Sequence, residues 1–333
     1  MTFNKIRRAL LALCVGAAAL GVAHAQGSEG LSGPVRLVVG FPAGGAGDII
    51  ARVVADKIAG PLGAPVIVEN KPGAGGRVAA ELLKAAPADG RTVLITPLAP
   101  IVIAPLTFQK LNYKSDTDFV PVAQLVKFPL SLAVGKDSPN TSLKDLVAWF
   151  KAHPQQASFG TSAAGSQLHF LGLMLGQAAH IDLVHVPYQG GTPLITDLIG
   201  GQVPSAIDAF PLEFHKAGKI RLLASSGESR SPLLPDVPTF KEVGLEPVNR
   251  MAYYGVLAPK GTPKDVVDKV CGAVKKALED PGVRKRIEDT GSLIVGNTPE
   301  EFAAQMKAEL AIYKTVVAKQ RLTAGMRAFR RFL

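Results

Sequence analysis

Three short segments place glycine, hydroxyl and charged residues where a strand gives way to a helix, a pattern suited to holding an anion. The first is Phe41-Pro-Ala-Gly-Gly-Ala-Gly-Asp48. Glycines bare their N–H groups, and the head of the following helix adds about half a positive charge. Phe41, Ala43, Gly44 and Gly45 therefore outline a cradle for a carboxylate or phosphate. Asp48 has two readings: it offsets the helix dipole and caps free N–H groups, or it faces a cleft and accepts a hydrogen bond from an ammonium or hydroxyl.

The second segment is Phe159-Gly-Thr-Ser-Ala-Ala-Gly-Ser-Gln-Leu-His169. Gly160, Thr161, Ser162, Ala163 and Ser166 supply hydroxyls beside free amides, a second anion-binding edge. A hydrolase triad drawn from Ser162, His169 or His185, and Asp208 competes with this reading. The nucleophile elbow needs G-x-S-x-G, however, and Ala164 occupies the final glycine position. His169 falls in the first helical turn, where packing or capping competes with chemistry. The third segment, Val186-Pro-Tyr-Gln-Gly-Gly-Thr-Pro193, bares another helix entry at Gly190 and Gly191. Tyr188 either closes one wall of a cleft or sits half-buried with its hydroxyl satisfied. Asp208 follows a strand, as a cleft residue or as an Asx turn.

Other chemistries fail on spacing. Aligning G-x-G-x-x-G on Gly45 and Gly47 puts Ile50 at the third glycine, and no Lys-Ser/Thr pair follows as a P-loop requires. His153, His169, His180, His185 and His215 are not at metal-ligand spacing. No catalytic residue, metal or cofactor is expected.

The elements that must carry these segments alternate β-branched runs with helix-period stretches, the grammar of an α/β fold. Strands are expected at Val35–Val39, 66–68, 92–96, 130–134, 157–160, Val184–Pro187, 203–206 and 220–224. Helices are expected at 49–58, Arg77–Ala85, 143–151, 168–178 and 193–199. Thr141 or Ser142 should cap the third of these. Thr262-Pro-Lys-Asp265 and Thr298-Pro-Glu-Glu301 read as two capping boxes opening C-terminal helices. With no C-terminal sheet expected, those helices should pack on the first domain. The chain then forms two lobes, 33–128 plus 252–333 and 129–251, joined by crossovers near 125–129 and 248–254.

The chain has 333 residues, 37 Lys+Arg against 27 Asp+Glu, and 47% hydrophobic residues. That content excludes a disordered chain, and the length favours two domains. Lys5, Arg7 and Arg8 precede an uncharged apolar run ending in Ala23-His24-Ala25. This reads as a cleavable signal peptide, residues 1–25, and hence an exported protein. Leu13 before Cys14 argues against a lipoprotein anchor. Cleavage removes three cations and no anion, leaving 34 against 27. No basic run interleaves with aromatics, so nucleic acid is not an expected partner. Maturation leaves Cys271 as the only thiol, read as a small buried hydrophobe.

Taken together, the segments Phe41 to Asp48, Val68-Glu-Asn-Lys-Pro-Gly-Ala-Gly-Gly76, Asp118-Phe-Val-Pro-Val122, His185-Val-Pro-Tyr-Gln-Gly-Gly191, Gly200-Gly-Gln-Val203, Ala258-Pro-Lys-Gly-Thr-Pro263 and Thr298-Pro-Glu-Glu-Phe302 resemble one family. It is the substrate-binding proteins of tripartite tricarboxylate transporters, the Bug-type periplasmic receptors. The resemblance implies a two-lobed type II periplasmic binding fold, each lobe a mixed sheet flanked by helices. It also implies a monomer without catalysis that binds a small organic acid, a di- or monocarboxylate or an amino acid, for delivery to transporter membrane subunits. One ligand carboxylate would be held by the loops at 41–48 and 160–166. The alternatives are a ligand sensor for a two-component kinase and an exported serine esterase. Two departures stand out: Gly172 precedes Leu173 where the family often has Gly-Glu, and Tyr253-Tyr254 replaces a frequent Trp.

Overall fold

The computed structural model describes Leu31 and residues 33–323. The expected signal peptide, Cys14 and the tail beyond Thr323 lie outside the described residues. None of the described helices is long and apolar enough to cross a membrane.

The first half builds a parallel sheet. β1 (Val35–Val39) leads to α1 (Ala46–Leu62), β2 (Val66–Asn70), a short 3-10 turn, α2 (Arg77–Ala85) and β3 (Thr92–Pro97). β1 pairs in parallel with both β2 and β3. α1 opens three residues earlier than the apolar period suggests, after Gly45, and ends at Gly63 in the left-handed region at φ 67°. A wide helical turn at 99–103 and α3 (Ala104–Thr107) precede β4 (Phe119–Phe128).

The chain then enters a second sheet: β5 (Ser131–Gly135), α4 (Leu143–Ala152), β6 (Ser158–Thr161), α5 (Gln167–Ala179), β7 (Val184–Pro187), α6 (Gly191–Ile199), β8 (Ala206–Asp208), α7 (Leu212–Lys216) and β9 (Ile220–Ser225). Ser142 caps α4 through a reciprocal box with Asp145. The strand expected at 203–206 begins only at Ala206, because Pro204 has no N–H to give a ladder. Asp208 is consequently the last residue of β8.

An irregular return brings the chain to β10 (Ala252–Pro259), followed by α8 (Lys264–Glu279), α9 (Pro281–Glu288), β11 (Leu293–Ile294) and α10 (Pro299–Thr323). The expectation of a purely helical C-terminal part is corrected here. β10 lies antiparallel between β3 and β4 in the order β11-β4-β10-β3-β1-β2. Its register pairs Ala252 with Phe128, so residues expected in the crossovers extend the first sheet instead. The second sheet has the order β7-β6-β8-β5-β9. Both sheets are mixed, each flanked by helices.

The two C-terminal capping motifs part company. Thr298 and Glu301 bond reciprocally, Thr298 N to Glu301 Oε2 at 2.8 Å and Glu301 N to Thr298 Oγ1 at 3.2 Å. Thr262 instead donates its hydroxyl to Pro259 O at 2.8 Å, and Pro263, in extended conformation, occupies the cap position of α8. The preceding turn takes the hydroxyl, so the box does not form.

One core cluster packs α1, with Ile50, Val54 and Ile58, and α8, with Val267, Val270 and Val274, against one face of the first sheet. Cys271 is buried there as a free thiol. The other face shares a cluster with the second sheet through Phe302 and Tyr313 of α10, which joins Phe159 and Phe170 to Leu94 and Leu257. α5 approaches β6 at Gly172, where a Cβ would lie 1.9 Å from the Phe159 ring. Gly172→Ala should therefore overpack this contact and cost about 1–3 kcal/mol. A denaturant midpoint equal to that of the unaltered protein would contradict the close approach.

Candidate functional site

The carboxyl ends of β1, β2, β3, β6 and β8 open on one cavity of about 910 Å³ between the two sheets. Connections leaving parallel strands share one edge, and that edge is where open α/β sheets take ligands. The walls include Phe41 and Gly44 after β1, Gly75 and Arg77 after β2, and Pro97 to Pro100 after β3. Across from them stand Ser162 to Leu168 after β6, and Asp208 to Glu213 after β8.

Three helices of nine or more residues start at this wall. α1 follows Gly45, α2 follows Gly76 and α5 follows Ser166, and none has a side-chain cap. Ser166 turns its hydroxyl back to Ala163 O at 2.7 Å. Among the described residues the Ala163 and Ala164 amides donate to no backbone carbonyl outside the regular elements. The aligned dipoles of these helix heads favour negative charge in the cavity.

Asp48 is 3% exposed and is fully engaged within its loop. It accepts from Gly44 N at 2.9 Å, Arg52 Nε at 3.0 Å and Asn70 Nδ2 at 2.9 Å. The Arg52 guanidinium, with the Gly44 and Asn70 bonds, pulls its carboxyl down to about 2 against the effect of burial. Asn70 also donates to Phe41 O at 3.1 Å, so Asp48 and Asn70 together hold the 41–45 loop. Asp48 is absent from the cavity wall, and so are Ala43 and Gly45.

The second loop is anchored by Asp208, which accepts from Ser162 N at 3.1 Å and Ala209 N at 2.7 Å. Burial raises its carboxyl, and the Ser162 hydroxyl and amide oppose that. The Ser162 amide therefore serves Asp208, although Ser162, Ala163, Ser166 and Asp208 all line the cavity. A triad is not assembled: Ser162 is turned to Asp208, His185 Nε2 meets Thr161 Oγ1 at 2.7 Å, and His169 Nδ1 accepts from Gly165 N at 3.3 Å. Thr161, fully buried, and His169 support the loop from behind. Gly160 packs under Tyr188, whose hydroxyl donates to Asp197 at 3.0 Å, and Gly190 N donates to Ser162 O. None of Gly160, Thr161, His169, Tyr188 and Gly190 lines the cavity.

Of the wall residues outside the expected site, two bear most on its chemistry, one of them noted in the sequence only as part of the Tyr253-Tyr254 departure. Tyr254 accepts from Gly47 N and stacks on Phe128 at 5.4 Å between ring centroids. A Cβ on Gly47 would meet its ring at 2.9 Å, which explains the glycine. Arg77 is the other. Its signal was present in Gly73-Ala-Gly-Gly76, which repeats the strand, glycine loop, helix grammar of 41–48.

The His169 and His185 rings stack with centroids 3.8 Å apart. Burial holds His169 at about 4, and burial together with the neighbouring ring holds His185 at about 3. An unfolded imidazole titrates near 6.5. Below that pH the unfolded chain takes up protons that the fold refuses, so stability should fall from about pH 6.5 down to about 3. The slope from this pair is at most ~1.4 kcal/mol per pH unit per histidine. Denaturant midpoints over this range should fall less steeply for His185→Gln; an unchanged slope would remove the pair from the account. Asp48→Asn should cost about 1–3 kcal/mol by leaving loop donors unpaired. Its urea midpoint measures this, and a neutral effect would deny the anchor.

Comparison with known proteins places these features in a family. Residues 50–322 match the model of the tripartite tricarboxylate transporter family receptor. A solved periplasmic transporter is 38% identical, with a TM-score of 0.77, covering 87% of this chain and 97% of that one. MatC from Rhodopseudomonas palustris, solved with bound malate, is 32% identical with a TM-score of 0.75, covering 86% and 99%. Another R. palustris protein, solved with adipate, is 30% identical with a TM-score of 0.77, covering 86% and 97%. The chain therefore belongs to the tripartite tricarboxylate transporter receptor family, with the periplasmic binding protein fold and the role of a non-catalytic solute receptor.

Proposed function

We propose that this receptor works in the periplasm, closes on a small organic carboxylate and delivers it to the membrane subunits of a transporter. The observation that carries the reading is the cavity itself, walled by both sheets and headed by three helix N-termini without side-chain caps. An acid seated there gains charge-assisted hydrogen bonds of roughly 1.5–3 kcal/mol each. Four or five of them reach the about −8 kcal/mol of micromolar binding after ordering costs. Relatives solved with malate and adipate support a carboxylate as ligand.

The proposed lobes are 33–128 plus 252–333 and 129–251, moving about the two strand connections. Closure is a population shift, which a ligand drives only through unequal contacts in the open and closed states. A ligand bridging both walls makes such contacts. The lysine and arginines before the apolar run, and the Ala23-His24-Ala25 site, direct export with cleavage after Ala25.

The test is a thermal-shift screen of protein recovered from the periplasm of an expression host, its N-terminus expected at Gln26 by mass spectrometry. Carboxylates at 100 times the dissociation constant should add about 2.7 kcal/mol and raise the melt by several degrees. Neutral sugars should leave it unmoved. A melt indifferent to every acid would reject the reading.

A further inference from the structure

We infer that Arg77 binds ligand and selects acids that carry a second anionic group, an assignment that rests on the receptor reading above. Among the described residues Arg77 is the only lysine or arginine on the cavity wall. It opens α2, so its backbone stands at a helix head while its side chain reaches along the wall past Gly75, which also lines the cavity. A Cβ on Gly75 would lie 3.8 Å from Arg77 Nη1. On one face the guanidinium carbon stands 3.8 Å from the centroid of the Phe108 ring, another wall residue.

Stacking fixes the plane of a guanidinium and leaves its edge of N–H donors to meet something else. Here no protein group takes that role. Among the described residues the Arg77 backbone N–H donates to Ala74 O, but its guanidinium has no ion pair and no hydrogen bond, whereas those of Arg36, Arg52, Arg91, Arg230 and Arg284 each hold a carboxylate. Asp208, Glu213 and Asp289 line other parts of the cavity without forming an ion pair with Arg77. A half-buried cation among Phe41, Leu98 and Phe108 lacks its counterion until a ligand brings one. The helix heads accept the first carboxylate, so Arg77 takes the second. An apolar spacer between the two charges suits walls made of Phe41, Phe108, Phe128 and Tyr254. The planar fork of donors matches a carboxylate bidentately, which lysine does not.

Calorimetric titration with matched pairs tests this: succinate against butyrate, adipate against hexanoate, terephthalate against 4-methylbenzoate. The unaltered receptor should favour the diacid in at least one pair by roughly tenfold or more. Arg77→Gln should weaken that diacid by about 10- to 100-fold and leave its monoacid partner within about threefold. Arg77→Lys, which keeps the charge and loses the fork, should recover part of the preference. Equal affinity for both members of every pair overturns the inference and leaves the receptor standing. Equal weakening of both members by Arg77→Gln, with an unchanged melt, likewise overturns it by making Arg77 a general support. Failure to bind any acid overturns both readings.

Discussion

A strand that runs parallel to its neighbours ends on the same edge as they do, and the helix that follows it begins there with N–H groups that no turn of its own can satisfy. That constraint generates the site. β1, β2, β3 and β6 all deliver their helical segments to one cavity, and none of these segments has a side-chain cap at its head. Aligned helix dipoles at a cleft with apolar walls favour negative charge there before any side chain is considered.

Side chains then decide which donors stay free. Asp48 and Asn70 tie the 41–45 loop to β2, and Asp208 ties the 162 loop to β8. Each carboxylate satisfies loop amides, so the two loops are held in shape by the protein's own anions, one of them, Asp208, on the cavity wall. Behind the second loop, two stacked imidazoles stay neutral because burial resists charging them. Neutral rings can accept from Gly165 and meet Thr161; charged rings would repel each other at this distance.

The two sheets are connected mechanically as well as by the cavity. β10 returns antiparallel into the middle of the first sheet, and Phe302 of α10 packs against Gly255 within it. Tyr313, further along the same helix, meets Phe170 of α5 edge-on at 5.8 Å between centroids. This helix joins the two sheets through residues that are not on the cavity wall.

Much of this was legible in the order of residues. Period-two and period-3.6 patterns located β1, β2, β3, β6, β7, β9 and the helices α1, α2, α4, α5 and α6, and the glycine loops at 41–48 and 160–166 fall at the edge where the cavity opens. The family followed from motif order. Local pattern failed where tertiary pairing sets structure: β4 and β10 owe their strand state to each other, and Thr262 loses its cap to a turn formed with Pro259. It failed again for side-chain direction. Asp48 and Arg77 both sit in the first turn of a helix after a glycine loop, yet one turns inward to Arg52 and Asn70 while the other lies along the cavity wall over Phe108. Sequence by itself determined the sheets' parallel grammar and the position of the anion-seeking edge, because those follow from local periodicity and backbone donors. Only the tertiary structure decided which charged groups line the cavity, because that depends on partners distant in the chain, such as Asn70 for Asp48 and Phe108 for Arg77.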